Sequence, residues 1–350
     1  MAAEEILSFL HSGEWVSGEE MAARLGISRA AVWKQIRSLR KRGYEIESST
    51  KKGYRLAGNH DILDADLIRS GLKTQWLGKD LRCFSVVTST NEVARTIALE
   101  CRNDGINRAV NGTARIVKGT ANNGPADAPA NNGTVILAEV QTQGRGRLSR
   151  SWASPPGGVW MSLILRPQIS LDRAYRINMA ISVAICKALA DLYGLAAGVK
   201  WPNDLLIEEK KICGILMEVS AEVDRLEYVV VGIGINANVD VSGYPAEWRS
   251  TSLHQELGRE VSRVGLIQKI LLEIENSYQH MDSKEIWEEW RNRSVTLGRQ
   301  VRISSVSGDI VGEAADLAED GALIIQSRDQ VGLHRVLAGD CIHLRALEAA

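Results

Sequence analysis

Apolar residues recur at helical spacing three times near the start of the chain. "EEILSFLHSG" is the first such stretch and "SGEEMAARLG" the second. In the second, Ser17 stands as N-cap, with Glu20 in the capping-box position and Gly26 as the break. "SRAAVWKQIRSLRKRG" is a third and longer helix, with Ser28 to cap it and Gly43 to end it. "YEIESSTKKGYRL" then changes period: two alternating runs flank a polar turn, which predicts a hairpin. Helix, helix, short turn, longer helix and hairpin is the order of a winged helix-turn-helix.

"AGNHDILDADLI" links this unit to a second one. "LRCFSVV" reads as a strand, and "STNEVARTIALE" as a helix capped by Ser89 or Thr90. Residues 101–133 are rich in Asn, Gly and Ala and almost lack core-forming residues in their second half. They predict a partly disordered surface insertion. Strand patterns resume with "TVILAEV" and "GGVWMSLIL". The apolar helix "RINMAISVAICKALADLYG" ends at Gly194. "DLLI" and "ICGILMEVS" form a hairpin across "EEKK", and "LEYVVVGIGINAN" is a long buried strand. "VGLIQKILLEIENSYQHM" and "SKEIWEEWRNR" are helices. Short hairpin joints of this kind predict an α+β domain with a largely antiparallel sheet. From about Val295 the helical period is lost. "RQVRISS", "DIVGEAADL", "GALIIQS" and "GLHRVLAG" predict a small β-barrel. The expected division is 1–60, 61–294 and 295–350, which suits a chain of 350 residues.

Charge changes the picture locally. The whole chain carries a formal net charge of only -1, yet from Ser28 to Arg55 nine Lys and Arg face two Glu. A cationic face on a winged helix favours duplex DNA over simple solvation or dimerisation. Ser28, Arg29, Lys34 and Gln35, at the start of the third helix, are the candidates to meet DNA there. Lys51 and Lys52, in the hairpin turn, are candidate phosphate contacts. No apolar run approaches the roughly 18 residues of a membrane span, and "MAAEEILSFL" lacks the basic start of a signal peptide. A cytoplasmic protein without membrane attachment is expected. The five cysteines form no CxxC pair and the six histidines no HExxH, which predicts reduced thiols and no structural metal.

Three clusters carry candidate chemistry. "QTQGRGRLSRSW" follows a buried strand and packs Arg145, Arg147 and Arg150 around Gly144 and Gly146. It is neither GxxxxGK[ST] nor a full GxGxxG, because Ser149 stands where the third glycine would be. Glycine still admits close backbone approach to an anion, and arginine binds carboxylate or phosphate in bidentate fashion. "KWPNDLLIEEKKICGILME" sets Asp204 and Lys211 on neighbouring strands, with Pro202 suggesting a strand edge. The pair is either a ligand-binding couple or a surface salt bridge. Gly232 and Gly234, inside a β-branched strand, mark close approach by a ligand or by packed protein.

"STN", "QTQGRGR", "KWPNDLL", "KICGILME" and "GIGIN" occur in the order found in biotin protein ligases. With the winged helix and the C-terminal barrel, the chain resembles the bifunctional members, which are both ligase and biotin-operon repressor. The resemblance spans nearly everything outside 101–133. It implies a class II synthetase-like sheet in the centre and an SH3-like barrel at the end. It also implies that Ser89, Thr90, Asn91 and Gln141 help hold biotin, and that residues 144–147 close over biotin and biotinyl-adenylate. Lys211, Gly214 and Asp204 match ligand-site positions, and Gly232, Gly234 and Asn236 complete the wall. Lys211, Arg145, Arg147 and Asp204 would be catalytic, with ATP and Mg²⁺ as partners of the reaction. Leu148 and Ser149 depart from the "GRGRRGR" of some relatives and remove one positive charge from the loop.

Such a reaction joins two anions, biotin carboxylate and the α-phosphate, so cations at the site lower its barrier. The implied acceptor is a lysine of a biotin carboxyl carrier domain, and the implied assemblies are a homodimer and its operator DNA. Alternatives are a ligase without operator binding, a biotin sensor without ligase activity, and a lipoate ligase or transferase of related fold.

Overall fold

The computed structural model describes residues 2–10, 14–41, 44–57, 61–100, 131–222, 225–305, 308–327 and 332–344. Gly43 and residues 101–130 of the expected insertion lie outside them.

The first unit contains α1 (Ala2–Leu10), α2 (Gly18–Leu25), α3 (Arg29–Lys41), β1 (Ile46–Ser49) and β2 (Gly53–Leu56). It has a core of its own, with Ile6, Leu7, Leu10, Met21, Val32, Ile36 and Leu39 among the buried residues. Each such aliphatic side chain contributes about 1.5–3 kcal/mol on leaving water. Ser17 Oγ accepts from Glu20 N at 3.0 Å. Glu20 turns instead to Arg24 at 2.7 Å, so the observed cap is one-sided. Gly26 takes the left-handed conformation that ends α2. Ser28 Oγ accepts from Ala31 N at 3.1 Å and caps α3. Val32, Ile36 and Leu39 face inward, leaving Arg29, Trp33, Lys34 and Arg37 exposed.

The second unit is built on a seven-stranded sheet ordered β3-β4-β5-β9-β8-β7-β6. Its strands are β3 (Leu81–Val87), β4 (Val135–Gln141), β5 (Val159–Leu165), β6 (Ala197–Lys200), β7 (Asp204–Ile207), β8 (Lys210–Glu222) and β9 (Arg225–Ile235). Among the described strands of this sheet only β3 and β4 pair in parallel, with α5 (Thr90–Glu100) lying between them in the chain. The strands alternate faces. Val229, Val231, Ile233 and Ile235 enter the main core, beneath α6 (Tyr175–Tyr193) and α8 (Arg263–Gln279). Tyr228 and Val230 point the other way, into a second cluster with α5. Continued alternation puts Gly232 and Gly234 on that second face, where Asn91 at the head of α5 and the Trp152 indole pack against them. Pro202 lies in the turn between β6 and β7 rather than on a strand, after a cis Trp201–Pro202 bond. Strand β6 was not foreseen, because "AGVK" is too short and too mixed to show a period.

Helices α4 (Ala65–Ser70), α7 (Leu253–Leu257) and α9 (Lys284–Asn292) also belong to this unit. Arg263, first residue of α8, has a side chain only 4% exposed. Its Nε pairs with Asp61, and Nη1 reaches Glu139 Oε2 at 2.8 Å and Gly158 O at 3.0 Å. Asn238 Nδ2 donates to Asp61 Oδ2 at 2.9 Å, and Leu63 N to Glu139 Oε1 at 3.0 Å. One buried guanidinium thus joins the linker, β4 and the residue before β5, and through Asp61 the segment after β9.

The third unit is a five-stranded antiparallel sheet ordered β13-β12-β11-β10-β14. It comprises β10 (Gln300–Ser305), β11 (Gly308–Leu317), β12 (Leu323–Ser327), β13 (Leu333–Val336) and β14 (Asp340–His343). Among the described residues β13 and β14 are its two edges. Its apolar residues, Val301, Ile303 and Leu323 among them, join the main core of the central unit instead of forming a separate one. Trp201 Nε1 donates to Gly321 O at 2.9 Å across the junction.

His343 sits in the same junction, 3.0 Å from Thr296 Oγ1. Burial, and then the nearby charges of Lys200 and Arg299, push its pKa down to about 4. The unfolded chain therefore takes up this proton near pH 6.5, while the folded one waits until about 4. The sign follows: stability is greatest above 6.5 and falls as pH drops towards 4. At pH 5 this group should remove about 2 kcal/mol relative to pH 7.5. Urea unfolding of the wild type and His343→Gln at both pH values checks it, with the variant showing the smaller loss.

Candidate active site

A cavity of about 880 Å³ opens beside these glycines. Its walls come from the start of α5, the loop after β4, strands β7, β8 and β9, residues 244–250, and β14 of the third unit. Of the fourteen residues expected at the ligand site, counting Asp204, thirteen line this cavity. Gly144 does not. A Cβ there would stand 2.3 Å from Trp152 O, so this glycine lets the two arms of the loop close on each other.

The Ser89-Thr90-Asn91 turn is buried at the head of α5. Gln141 Oε1 accepts from Thr90 N at 2.8 Å and from Thr90 Oγ1 at 3.1 Å, and Gln141 Nε2 donates to Ser154 Oγ at 2.8 Å. Gln141 therefore holds the turn in place through its whole amide. Ser162 Oγ donates to Asn91 Oδ1 at 2.6 Å and lies 2.7 Å from Thr90 Oγ1. Asn91 Nδ2 donates to Glu218 Oε2 at 2.6 Å. Sequence reasoning missed Ser162 and Glu218 as partners. Ser162 did carry a signal, as the one hydroxyl in "VWMSLIL".

The strand glycines answer to side chains. A Cβ on Gly232 would meet Asn91 Oδ1 at 2.3 Å, and one on Gly234 would meet Trp152 Nε1 at 2.6 Å. Gly214 and Gly234 pair across β8 and β9, and together make a flat shelf for the Trp152 indole. Packing is thus the reason for the glycines, but what packs there is itself cavity wall. Lys211 Nζ lies 2.7 Å from Asp204 Oδ1 and 5.0 Å from the centre of the Trp152 ring. The pair is a salt bridge, and it faces the cavity.

All three loop arginines have acceptors. Arg145 pairs with Glu92. Arg147 donates to Asn203 Oδ1 and to Gly339 O, both at 3.0 Å. Arg150 grips Asp340 with both nitrogens, at 2.9 and 2.5 Å. Six Lys and Arg line the cavity against four Asp and Glu, so its field favours anions. Three buried polar atoms on the wall, Trp152 Nε1, Asn236 Oδ1 and Tyr244 OH, have no hydrogen-bond partner among the described residues. Leaving such groups dry costs about 1–3 kcal/mol each, which a polar ligand would recover. Among the described thiols, burial pushes Cys186 and Cys341 up to about 12, away from a nucleophile's range.

On the winged helix, Arg29, Lys34, Lys51 and Lys52 are exposed and Gln35 is half-buried. Not every cation of this face is free for DNA. Arg40 donates to Ile46 O at 2.9 and 2.6 Å, and Arg55 pairs with Glu47 at 2.6 Å.

Residues 3–55 match the "HTH domain" family, 114–236 the "Biotin/lipoate A/B protein ligase family", and 296–344 the "Biotin protein ligase C terminal domain". The bifunctional ligase/repressor BirA of Bacillus subtilis is 36% identical over 93% of this chain and 93% of its own. The chain belongs to the biotin protein ligase family. BirA of Escherichia coli, another member, is 27% identical over 98% of this chain and 97% of its own. Among solved ligases, that of Aquifex aeolicus, in complex with biotin and ATP, superposes with a TM-score of 0.58 at 27% identity. It covers 77% of this chain and 100% of its own.

Proposed function

We propose that this protein is an ATP-dependent biotin protein ligase and a biotin-responsive transcriptional repressor. It would form biotinyl-5′-AMP and pass the biotinyl group to a lysine of a biotin carboxyl carrier domain. The observation that carries this reading is the meeting of the Ser-Thr-Asn turn, the arginine loop and the Lys211–Asp204 pair in one cavity with a cationic balance. In the first step the biotin carboxylate attacks the α-phosphorus of ATP, the bond to the β-phosphate oxygen breaks, and pyrophosphate leaves. Lys211, Arg145 and Arg147 offset the repulsion between the two anions and stabilise the charge of the transition state. Asp204 orients Lys211. In the second step the acceptor amine attacks the carbonyl of the mixed anhydride and AMP leaves, so no enzyme nucleophile is needed.

A Mg²⁺ ion carried in on the nucleotide would supply charge neutralisation at the phosphates. Asn236 Oδ1 is an oxygen donor of the kind a hard cation takes. Among the described residues, no three His, Cys, Asp or Glu side chains gather into a metal site of their own. Among those residues, too, no helix is long and apolar enough to cross a membrane, and the proposed place of work is the cytoplasm.

Native mass spectrometry after incubation with biotin, ATP and Mg²⁺ tests the ligase reading. Bound biotinyl-5′-AMP with released pyrophosphate supports it. Biotin without adenylate would leave a sensor, and no biotin at all would remove the reading. For the repressor half, adenylate ordering the arginine loop would favour a homodimer matched to a two-half-site operator. Unchanged duplex affinity on adding biotin and ATP would sink that half. On the same reading, Lys51→Ala with Lys52→Ala should weaken duplex binding evenly across sequences. The slope of log K against log salt should fall by about 0.9 per lysine, measured by fluorescence titration.

A further inference from the structure

The arginine loop carries backbone strain at its tip. Leu148 and Ser149 both lie in the left-handed region, at φ 53 and 60, where residues with a Cβ are strained. Leu148 is also 66% exposed, so no burial offsets the strain at the tip. Inside the loop, Gly146 N donates to Arg150 O at 2.7 Å and Trp152 N to Gly144 O at 2.8 Å. Strained conformations persist only where the surroundings over-determine them. Here the surroundings include a segment nearly two hundred residues away, at the start of the last described strand.

We propose that Asp340 is a positioning residue of the ligase reaction: with the Gly339 carbonyl it anchors the arginine loop and so keeps the adenylate in the cavity. This rests on the ligase reading above. Two adjacent residues of the third unit take two different loop arginines, Arg147 on the Gly339 carbonyl and Arg150 on the Asp340 carboxylate. The Arg150–Asp340 contact is bidentate, the geometry in which an ion pair fixes direction as well as distance. Burial works against the charge on Asp340. Even so, the hydrogen bonds and charge of Arg150, backed by Lys200 and Arg147, hold its carboxyl below the usual range. It is therefore ionised throughout the range in which the enzyme would work.

An ordinary surface pair is the competing account, since the Arg150 side chain is 64% exposed and that of Asp340 23%. Isolated pairs of that kind hold little. The difference here is that the anchored segment is a strained loop forming a wall of the cavity, which Asp340 also lines. Its loss should therefore appear in loop opening, and not in overall stability.

Two measurements on the full chain test this. Without ligand, trypsin should cut within residues 145–150 of Asp340→Ala about fivefold faster than in the wild type, with an unchanged melting temperature. With ligand, preformed labelled biotinyl-5′-AMP should leave Asp340→Ala about fivefold faster in a chase with unlabelled biotin and ATP. Arg150→Asp should release it equally fast, and the exchanged pair Arg150→Asp with Asp340→Arg should return to within about twofold of the wild type. Wild-type rates in Asp340→Ala, or a folded exchanged pair that stays fast, would overturn the proposal. If the wild type makes no adenylate, the ligase reading fails instead, and the proteolysis alone decides whether the anchor exists.

Discussion

Lys211→Ala should slow formation of biotinyl-5′-AMP by about 10²–10³-fold, the usual effect of removing one preorganised charge from a transition state. Lys211 is held from two sides, by Asp204 at 2.7 Å and by the Trp152 ring at 5.0 Å, so its ammonium is aimed before any substrate arrives. Its backbone is fixed as well. Lys211 N donates to Arg249 O at 2.6 Å, and Thr251 N donates to Lys211 O at 3.0 Å. Truncation would leave Asp204 facing the cavity without its counter-charge, adding a repulsive carboxylate where two anions must meet. Single-turnover pyrophosphate release at saturating biotin and ATP measures the effect. The Ser89–Asn91 turn, Gln141 and Ser162 make no hydrogen bond to Lys211, so the wall that they form should keep its geometry in the variant. A variant within tenfold of the wild type would place the chemistry elsewhere in the cavity.

Arg263→Ala should destabilise the central unit by about 3–5 kcal/mol, the penalty for breaking a buried ion pair by removing one partner. The guanidinium serves Asp61, Glu139 and the Gly158 carbonyl together. Its removal leaves two carboxylates close to each other, both partly withdrawn from water. The urea midpoint at neutral pH reads the loss. Adding Glu139→Gln to Arg263→Met, which removes charge on both sides and keeps volume, should recover part of it. If Arg263→Ala unfolds at the wild-type midpoint, the cluster contributes nothing to stability.

The two clusters differ in how far the sequence announced them. Lys211 and Asp204 sit on adjacent strands of one hairpin, so their meeting was visible in local spacing. So were the helix caps at Ser17 and Ser28, and the glycines of β9, whose alternation with Val231 and Ile233 is a period of two. Arg263 and Asp61 are about two hundred positions apart, and no local period joins them. The same holds for β14 and the arginine loop. "GLHRVLAG" showed the strand β13, but the short "DCIH" that follows gave no sign that its first residue meets Arg150. The Trp152 shelf lay between these cases. The indole was in plain view after the loop, and the glycines were in plain view on the strands, but only the pairing of Gly214 with Gly234 brings them together. Pro202 suggests a strand edge from the sequence because proline disrupts ladders, but a turn and an edge look alike in one dimension.

The separate core of the winged helix bears on the order in which the molecule becomes competent. The buried residues of that core all lie within residues 6–56, whereas the cavity needs Thr90, Gly234 and Asp340 in place at once. Short-range contacts form early and long-range ones late. As the chain leaves the ribosome, the part that would grip the operator can therefore finish folding long before the part that would sense biotin exists.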